Sequence, residues 1–156
     1  MGRACITVGV ISDTHGLVRP EALTALKDSD IILHAGDIGS PDVLQSLRAI
    51  APVVAVRGNT DTDRRTGSLM DAETVEIGGK LFYILHDISC LDLDPDTAGI
   101  HAIISGHSHM PSISEKNGIL YLNPGSAGPR RFKLPVTLSR IVIKQGRLDA
   151  EIVHLT

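Results

Sequence analysis

The order of the predicted elements indicates an α/β fold, in which helices pack on a mixed sheet or on two packed sheets. Residues 5–56 alternate short apolar runs with helical patterns, which is typical of parallel strands joined by helices. From residue 73 onward the chain reads as hairpins around one more buried strand. We find no linker, internal repeat or low-complexity segment, so we expect residues 1–156 to form a single domain.

The first half of the chain contains three predicted strands and two predicted helices. Apolar, β-branched runs predict buried strands over residues 5–12, 31–34 and 53–56. Pro20 can occupy the first turn of a helix that continues through Leu26. Ser40 followed by Pro41 predicts the cap and first turn of a second helix, which Pro52 ends.

Turn residues divide the second half into hairpins. A short apolar run over residues 102–105 predicts one further buried strand between them. Three hairpins are predicted, each around a pair of turn residues: 73–86 with Gly78-Gly79, 113–122 with Asn117-Gly118, and 136–155 with Gln145-Gly146.

Composition argues against several classes of protein. Hydrophobic residues make up 42% of the chain and the net charge is -3, so no basic surface for duplex nucleic acid is expected. No apolar run has the length of a membrane span and no signal-peptide pattern is present, so we expect a soluble, cytoplasmic protein. Cys5 and Cys90 lack the spacing of a disulfide framework, and Cys5 is expected to be a small buried hydrophobe.

Polar side chains follow five of the predicted buried strands. In open α/β sheets, ligands bind outside the carboxyl ends of the strands, so these side chains should converge. Taken strand by strand, the candidates are Asp13 and His15, Asp37, Asn59, His86, and His107 with His109.

These residue types indicate a metal centre. Carboxylate, amide oxygen and imidazole are ligands for divalent metals, and seven of them are too many for one tetrahedral site. Two ions about 3.5–4 Å apart could hold a hydroxide and clamp a phosphoryl group. Each residue alone is more simply a helix cap, a turn residue or a strand-end histidine. Their recurrence at equivalent positions favours the metal centre.

The ordered motifs D-T-H, G-D, G-N-T-D, H and G-H-S-H resemble those of the calcineurin-like metallophosphoesterase superfamily. The short chain and the N-P-G-S run at residues 123–126 resemble its small bacterial and archaeal phosphodiesterase branch. The resemblance implies a four-layer αββα sandwich of two mixed β-sheets flanked by helices. It also implies two divalent ions per chain, with manganese expected and nickel, iron or zinc as alternatives.

Carried onto this sequence, the resemblance implies a role for each candidate. The first ion would be bound by Asp13, His15, Asp37 and His109. The second would be bound by Asp37, Asn59, His86 and His107, with Asp37 bridging. Catalysis would depend on Asp37, Asn59 and His107, through in-line attack of a metal-bridging hydroxide on phosphorus. Substrate would contact Asn59, Ser126 and Arg130.

Two positions depart from the family pattern, and a third is ambiguous. Thr60 replaces a histidine often assigned to the leaving group, so we expect activated diesters to be better substrates than phosphomonoesters with poor leaving groups. Asp87 replaces a glycine, and could cap a turn, bind a histidine of the site or repel an anionic substrate. His34 could orient a ligand or simply belong to the core.

The sequence therefore favours a dinuclear metal-dependent phosphodiesterase acting on a small-molecule phosphodiester. Two alternatives remain on the same fold, namely a non-catalytic interaction scaffold and a metal-binding protein that senses a nucleotide. The resemblance also gives a weak expectation of a homo-oligomer, either a dimer or a tetramer.

Overall fold

The computed structural model describes residues 5–62 and 68–155. Within these ranges the chain forms two α-helices, α1 (Pro20–Leu26) and α2 (Pro41–Arg48), and a 3-10 helix at Ile88–Cys90. It also forms ten strands: β1 (Cys5–Ile11), β2 (Ile31–His34), β3 (Val53–Ala55), β4 (Ala72–Ile77), β5 (Lys80–Leu85), β6 (Ala102–Ile104), β7 (Ser112–Lys116), β8 (Ile119–Asn123), β9 (Thr137–Lys144) and β10 (Arg147–His154).

The strands form two mixed sheets of five strands each. The first has the order β10-β9-β1-β2-β3, with β1, β2 and β3 parallel and the β9–β10 hairpin antiparallel to β1. The second has the order β4-β5-β6-β8-β7, with β5, β6 and β8 parallel and an antiparallel strand at each edge. The carboxyl ends of six parallel strands are therefore available to build a site.

The alternation of side chains along the strands creates the layers. Val10 of β1 faces the second sheet and belongs to one cluster with Phe82 and Ile104. The next residue, Ile11, faces the opposite way and packs in a cluster that includes Leu26 of α1 and residues of α2. Apolar side chains thus occupy both the space between the sheets and the space beneath the helices.

The predicted sandwich of two mixed sheets is confirmed, with one layer built differently from the others. Both described α-helices pack on the outer face of the first sheet. The outer face of the second sheet carries Ile103 and Tyr83, against which Leu91 and Ile100 pack. In the described ranges, that face is therefore covered by the segment after β5, which contains the 3-10 helix.

Local features of the sequence predicted the start of α2 and the turn between β4 and β5 correctly. Ser40 caps α2, where its side chain accepts a hydrogen bond from the Asp42 amide at 3.2 Å. Gly78 and Gly79, at the turn between β4 and β5, have φ angles of 58° and 80°, which glycine adopts without steric cost. One expectation was wrong, because Cys5 is exposed at the first position of β1 rather than buried.

None of the helices in residues 5–62 and 68–155 has the length and apolar character needed to cross a membrane.

Candidate metal centre

The candidate ligands lie on tightly bent loops that follow the strands. Five of them have a left-handed backbone, with positive φ angles: Asp13 (55°), His15 (47°), Asp37 (56°), His107 (71°) and His109 (63°). Such angles are uncommon and costly for residues other than glycine, and they cluster at functional sites. Backbone hydrogen bonds hold the loops together, since the His15 amide donates to the Asp37 carbonyl at 3.0 Å.

Glycines allow the ends of the two sheets to approach each other closely. A Cβ atom on Gly106, which follows the strand β6 and Ser105, would overlap the Ser12 hydroxyl that follows β1. A Cβ atom on Gly58, in the loop after β3, would overlap the carboxylate and backbone of Asp37. Gly106 therefore lets the motifs of the two sheets meet, and Gly58 brings together two loops of the first sheet.

Asp13, His15 and His109 form the inner group of the site. The Asp13 carboxylate is fully buried, and its Oδ1 lies 3.3 Å from His109 Nε2 and 3.8 Å from His15 Nε2. Its other oxygen, Oδ2, accepts hydrogen bonds from the Ser12 hydroxyl at 2.7 Å and from the His107 amide at 3.1 Å. One oxygen is thus fixed by the protein, while the other faces the imidazoles.

The inner group contains buried polar atoms that make no hydrogen bond. They are Asp13 Oδ1, His15 Nε2 and His109 Nδ1. Leaving such atoms unpaired in the interior costs about 1–3 kcal/mol each, so native proteins rarely do it without a reason. A cation bound between these atoms would satisfy the carboxylate oxygen and the His15 nitrogen together.

Asp37 and His86 form the second part of the site. The Nδ1 atom of His86 donates to the Ala35 carbonyl at 2.7 Å, which directs Nε2 toward Asp37 Oδ2 at 3.2 Å. Asp37 Oδ1 accepts a hydrogen bond from the Thr60 amide at 3.0 Å. Both residues are therefore oriented by the backbone, as metal ligands commonly are.

His107 and Asn59 lie on the solvent side of this second part, which we call the cleft group together with Asp37 and His86. His107 Nδ1 lies 3.3 Å from His86 Nε2, and 47% of the His107 side chain is exposed. Asn59 is exposed and lines the same cleft as His86 and His107. The cleft has a volume of about 1040 Å³, which suits a small-molecule ligand.

The electrostatics of the site favour positive charge between its carboxylates. Burial alone would raise the pKa of Asp37, but hydrogen bonds from His86 and Thr60 hold that pKa well below its usual range. Burial alone would also lower the pKa of His86, yet its hydrogen bond to Asp37 and the nearby carboxylate charges raise it. Burial lowers the pKa of His109, and the charge of Asp13 only partly offsets this effect.

The residues present fit two divalent cations. Two groups have ligand atoms within 4.8 Å of one another, namely Asp13 with His15 and His109, and Asp13 with Asp37 and His86. These groups share Asp13, whereas the family resemblance implies that Asp37 is shared. Asp37 Oδ2 also lies between two imidazoles, at 3.8 Å from His15 Nε2 and 3.2 Å from His86 Nε2. The bridging role of Asp37 stays a prediction.

Of the remaining sequence-predicted residues, Ser126 and Asp87 contact members of this centre. The Ser126 hydroxyl is buried and donates to the Asp13 carbonyl at 3.0 Å, while Arg130 is exposed on the loop that follows. Asp87 caps the 3-10 helix by accepting from the Ser89 amide at 3.0 Å, and its Oδ2 lies 3.8 Å from His107 Nε2. The structure thus shows Asp87 as a cap that also approaches His107, while repulsion of an anionic substrate by Asp87 and substrate contacts by Ser126 and Arg130 stay predictions.

Two supporting residues were not singled out from the sequence. Asp61 is buried and accepts hydrogen bonds from the amides of Ile38 at 2.9 Å, Gly39 at 3.1 Å and Gly58 at 2.8 Å. Asn123 donates to the Gly106 carbonyl at 2.9 Å and to the Ser108 hydroxyl at 3.1 Å. Both stand in quoted motifs, G-N-T-D and N-P-G-S, but loop-to-loop hydrogen bonds leave no periodic signal in a sequence.

Two mixed sheets whose strand ends gather an Asp/His cluster define a metal-binding α/β protein. The chain belongs to the calcineurin-like phosphoesterase superfamily, whose family model matches residues 6–146. A probable metallophosphoesterase from Methanothermobacter thermautotrophicus is 38% identical over 159 residues, covering 94% of this chain and 91% of that protein. The chain is thus a probable metallophosphoesterase with a buried Asp/His cluster.

Two solved structures show the same fold at lower sequence identity. An archaeal phosphodiesterase has a TM-score of 0.79 at 23% identity, covering 96% of this chain and 99% of that one. Vacuolar Protein Sorting 29 from Cryptosporidium parvum has a TM-score of 0.78 at 19% identity, covering 97% and 98%. Because these identities are low, the similarity establishes the fold alone.

Proposed function

We propose that the protein is a dinuclear metal-dependent phosphodiesterase that hydrolyses a small-molecule phosphodiester. The observation that carries this proposal is the pair of Asp/His groups that share Asp13 beside an open cleft. The similarity in fold to an archaeal phosphodiesterase supports the choice of a diester.

The candidate ligands divide between two ions as the family resemblance implies. Asp13, His15 and His109 would hold one ion, and His86, Asn59 and His107 would hold the other, with Asp37 between them. When bound, the two ions would supply an activated water nucleophile and positive charge for the developing phosphoryl oxyanion. Manganese is the ion we propose, and the ligand types also suit nickel, iron and zinc.

The chain's own groups prepare this site in defined ways. The Ala35 carbonyl holds the proton of neutral His86 on Nδ1, which leaves the Nε2 lone pair free for a ligand bond. The Thr60 amide holds Asp37 Oδ1, so the Asp37 carboxylate cannot rotate freely. His107 and Asn59, both exposed to the cleft, are the members placed to meet a substrate.

The side chain of Thr60 favours diesters with good leaving groups. Thr60 is exposed in the loop after β3, at the position where many family members have a histidine. A threonine hydroxyl does not supply a proton near neutral pH, so the leaving group would depart without acid assistance from this position. Aryl diesters need less assistance than alkyl monoesters, and we expect the enzyme to discriminate accordingly.

The test is hydrolysis of a chromogenic aryl phosphodiester by chelator-treated protein. Manganese, nickel, zinc and magnesium are added in turn, and an aryl phosphomonoester is assayed in parallel. The expected result is metal-dependent turnover that favours the diester and is lost in Asp37→Ala. Turnover that survives in both Asp37→Ala and His107→Ala would contradict the catalytic assignment.

A metal-binding protein without turnover is the alternative that the same experiment detects. Vacuolar Protein Sorting 29, which has the same fold, is named for sorting and not for hydrolysis. Protein that binds two ions but hydrolyses neither substrate would favour a scaffold or a nucleotide sensor. Thr60 and Asp87, the two departures from the family pattern, would then be the residues to revert.

A further inference from the structure

His34 is a buried polar side chain that the proposed reaction does not use. It is the last residue of β2, has no exposed surface, and lies three residues before Asp37. Both of its ring nitrogens nevertheless have partners. Nδ1 lies 3.1 Å from the Gly36 amide nitrogen, and Nε2 lies 3.0 Å from the Thr14 hydroxyl.

These partners define the position of the imidazole proton. The Gly36 amide can only donate, so Nδ1 must accept and carries no proton. The Thr14 hydroxyl donates its own proton to the Ile38 carbonyl at 2.9 Å, so toward His34 it acts as an acceptor. His34 is therefore neutral, with its proton on Nε2. Burial, the largest influence, agrees with this, since it lowers the pKa of His34 to about 3.

The hydrogen bonds of His34 connect the two loops that carry the buried carboxylates. Thr14 stands between Asp13 and His15 in the loop after β1. Gly36 is hydrogen-bonded to His34, and Ile38 is hydrogen-bonded to Thr14. These two residues flank Asp37 in the loop after β2. The ring thus links the Thr14 side chain of one loop to the backbone of the other, and all three hydrogen bonds are buried. It supplements the backbone hydrogen bonds that join the same loops directly, such as the one from the Asp13 amide to the Gly36 carbonyl at 3.0 Å.

We propose that His34 is a positioning residue, whose neutral ring holds loop 13–15 in register with loop 36–38 and thereby raises the affinity of the site for divalent cations. The inference rests on the proposed metal centre. Residues that orient metal ligands in this way typically contribute 10- to 100-fold to metal affinity. His34 touches neither substrate nor ion in this scheme, and acts only through the two loops.

Two substitutions separate the functions of the two ring nitrogens. In His34→Asn the side-chain oxygen can replace Nδ1 as the acceptor for Gly36, but the side chain is too short to reach Thr14. In His34→Gln the amide group can replace Nε2 as the donor to Thr14, but the acceptor for Gly36 is lost. Thr14→Val keeps the imidazole and removes only the hydroxyl, so it serves if the His34 variants do not fold.

A second histidine provides a matched control. His101 Nδ1 accepts a hydrogen bond from the Leu81 amide at 2.9 Å, at the start of β6 and therefore at the opposite end of the strand from the site. His101→Asn removes the same type of ring beside a strand of the second sheet, away from the site. It is expected to leave cation affinity unchanged.

The experiment measures manganese affinity of chelator-treated protein by titration calorimetry, together with nitrogen NMR of the histidine side chains before manganese is added. We expect a neutral His34 protonated at Nε2 at pH 7. We also expect His34→Asn, His34→Gln and Thr14→Val to bind manganese at least about 10-fold more weakly while keeping the native circular dichroism spectrum.

Two results would overturn the inference alone, and one would overturn more. Wild-type affinity in all folded His34 and Thr14 variants would show that the ring does not position the loops. An Nδ1-protonated or doubly protonated His34 would show that the assigned hydrogen bonds are wrong. Failure of the wild-type protein to bind manganese, nickel or zinc would overturn the proposed metal centre and this inference together.

Discussion

The inner group and the cleft group of the candidate centre differ in how far they are enclosed and in what their polar atoms contact. In the inner group, the side chains of Asp13 and His109 are 0% and 4% exposed, and three buried atoms lack hydrogen bonds. In the cleft group, the His107 side chain is 47% exposed and its Nδ1 contacts His86. The inner group thus presents polar atoms without hydrogen bonds, whereas two imidazoles of the cleft group contact each other.

This difference has consequences for binding. Atoms without partners lose nothing when a cation arrives, whereas His107 and His86 must give up their mutual contact. The Asp13 carboxylate and His109 are also shielded from solvent, which strengthens their electrostatic interaction with an ion, whereas the His107 side chain of the cleft group is open to it. We therefore expect the inner group to bind its ion more tightly, and the cleft group to exchange its ion and to meet the substrate.

The largest expected effect comes from Asp13, the buried carboxylate of the inner group, whose Oδ1 also lies 3.9 Å from His86 Nε2 in the cleft group. Asp13→Asn keeps the size of the side chain and removes the negative charge common to the two sets of ligands. Because the first ion would lose a charged ligand and the second a nearby carboxylate charge, we expect loss of manganese binding by at least about 100-fold and of diesterase activity by at least about 1,000-fold. Metal analysis after gel filtration and the aryl diester assay measure the two effects.

Asp149→Asn is the control for this change, because Asp149 is exposed on the strand β10, remote from the strand ends. It should behave as the wild type in both measurements. Retention of two manganese ions by a folded Asp13→Asn variant would remove the basis for the whole centre.

A smaller effect should distinguish the two groups from each other. His15→Ala removes an inner ligand with an unpaired buried nitrogen, and we expect the tighter manganese-binding step to weaken about 10-fold or more. His107→Ala removes an exposed ligand, and the tighter step should change by less than about threefold while the weaker step is lost. Titration calorimetry resolves the two steps, and the reverse pattern would contradict the difference in affinity between the groups.

Much of the fold could be predicted because its signals are local. The turn glycines at residues 78–79 and the Ser40 cap each act within a few residues, and both the β4–β5 hairpin and the start of α2 are found where they were predicted. The end of α2 was predicted less well, because the helix ends at Arg48 and not just before Pro52. The sheet order could not be predicted in this way. Hairpin β9–β10 joins the edge of β1 through pairs such as Val8 with Ile141, which depend on packing between distant parts of the chain.

The candidate site likewise contains residues that the sequence predicts and residues that it does not. The candidate ligands stand out in the sequence because polar residues interrupt apolar runs at strand ends, as at Asp13 and His86. The groups that hold these ligands do not stand out. Asp61 accepts from backbone amides that only the folded loops bring near it, so its role became visible only in three dimensions. His34 stood out as a residue that could orient a ligand, but its partners Gly36 and Thr14 could not be read from the sequence.

In the metal-free protein, we expect His34 to make the free energy of unfolding depend on pH. The unfolded chain protonates His34 near pH 6.5, whereas the folded protein resists protonation until about pH 3. Between these values the unfolded state binds more protons, so the free energy of unfolding rises with pH, by at most about 1.4 kcal/mol per pH unit from this group. The contribution is complete above pH 6.5 and is lost progressively as the pH falls below that value.

Urea unfolding of wild type and His34→Asn between pH 4.5 and 6.5 measures this contribution by difference. The substituted protein should show the shallower slope, and the two curves should run parallel above pH 7. Parallel curves over the whole range would mean that His34 is protonated in the folded protein, contrary to its assigned hydrogen bonds.

The smallest expected effect concerns Asp87, which borders the cleft group and has two separable roles. Its carboxylate caps the 3-10 helix through Ser89, and its charge lies near His107. Asp87→Ser can keep the cap and removes the charge, while Asp87→Ala removes both. We expect about 0.5–1 kcal/mol loss of stability in Asp87→Ala only, since substitution of a capping residue by alanine costs about that much.

The charge should act on the substrate instead of on the fold. A carboxylate at the cleft repels an anionic diester, so both Asp87→Ser and Asp87→Ala should raise kcat/KM by about twofold to fivefold at low salt. The gain should fall as ionic strength rises, because salt screens an exposed charge. If only Asp87→Ala changes kcat/KM, the cap and not the charge controls the cleft group. That result would tie the activity of this half of the centre to the order of the segment after β5.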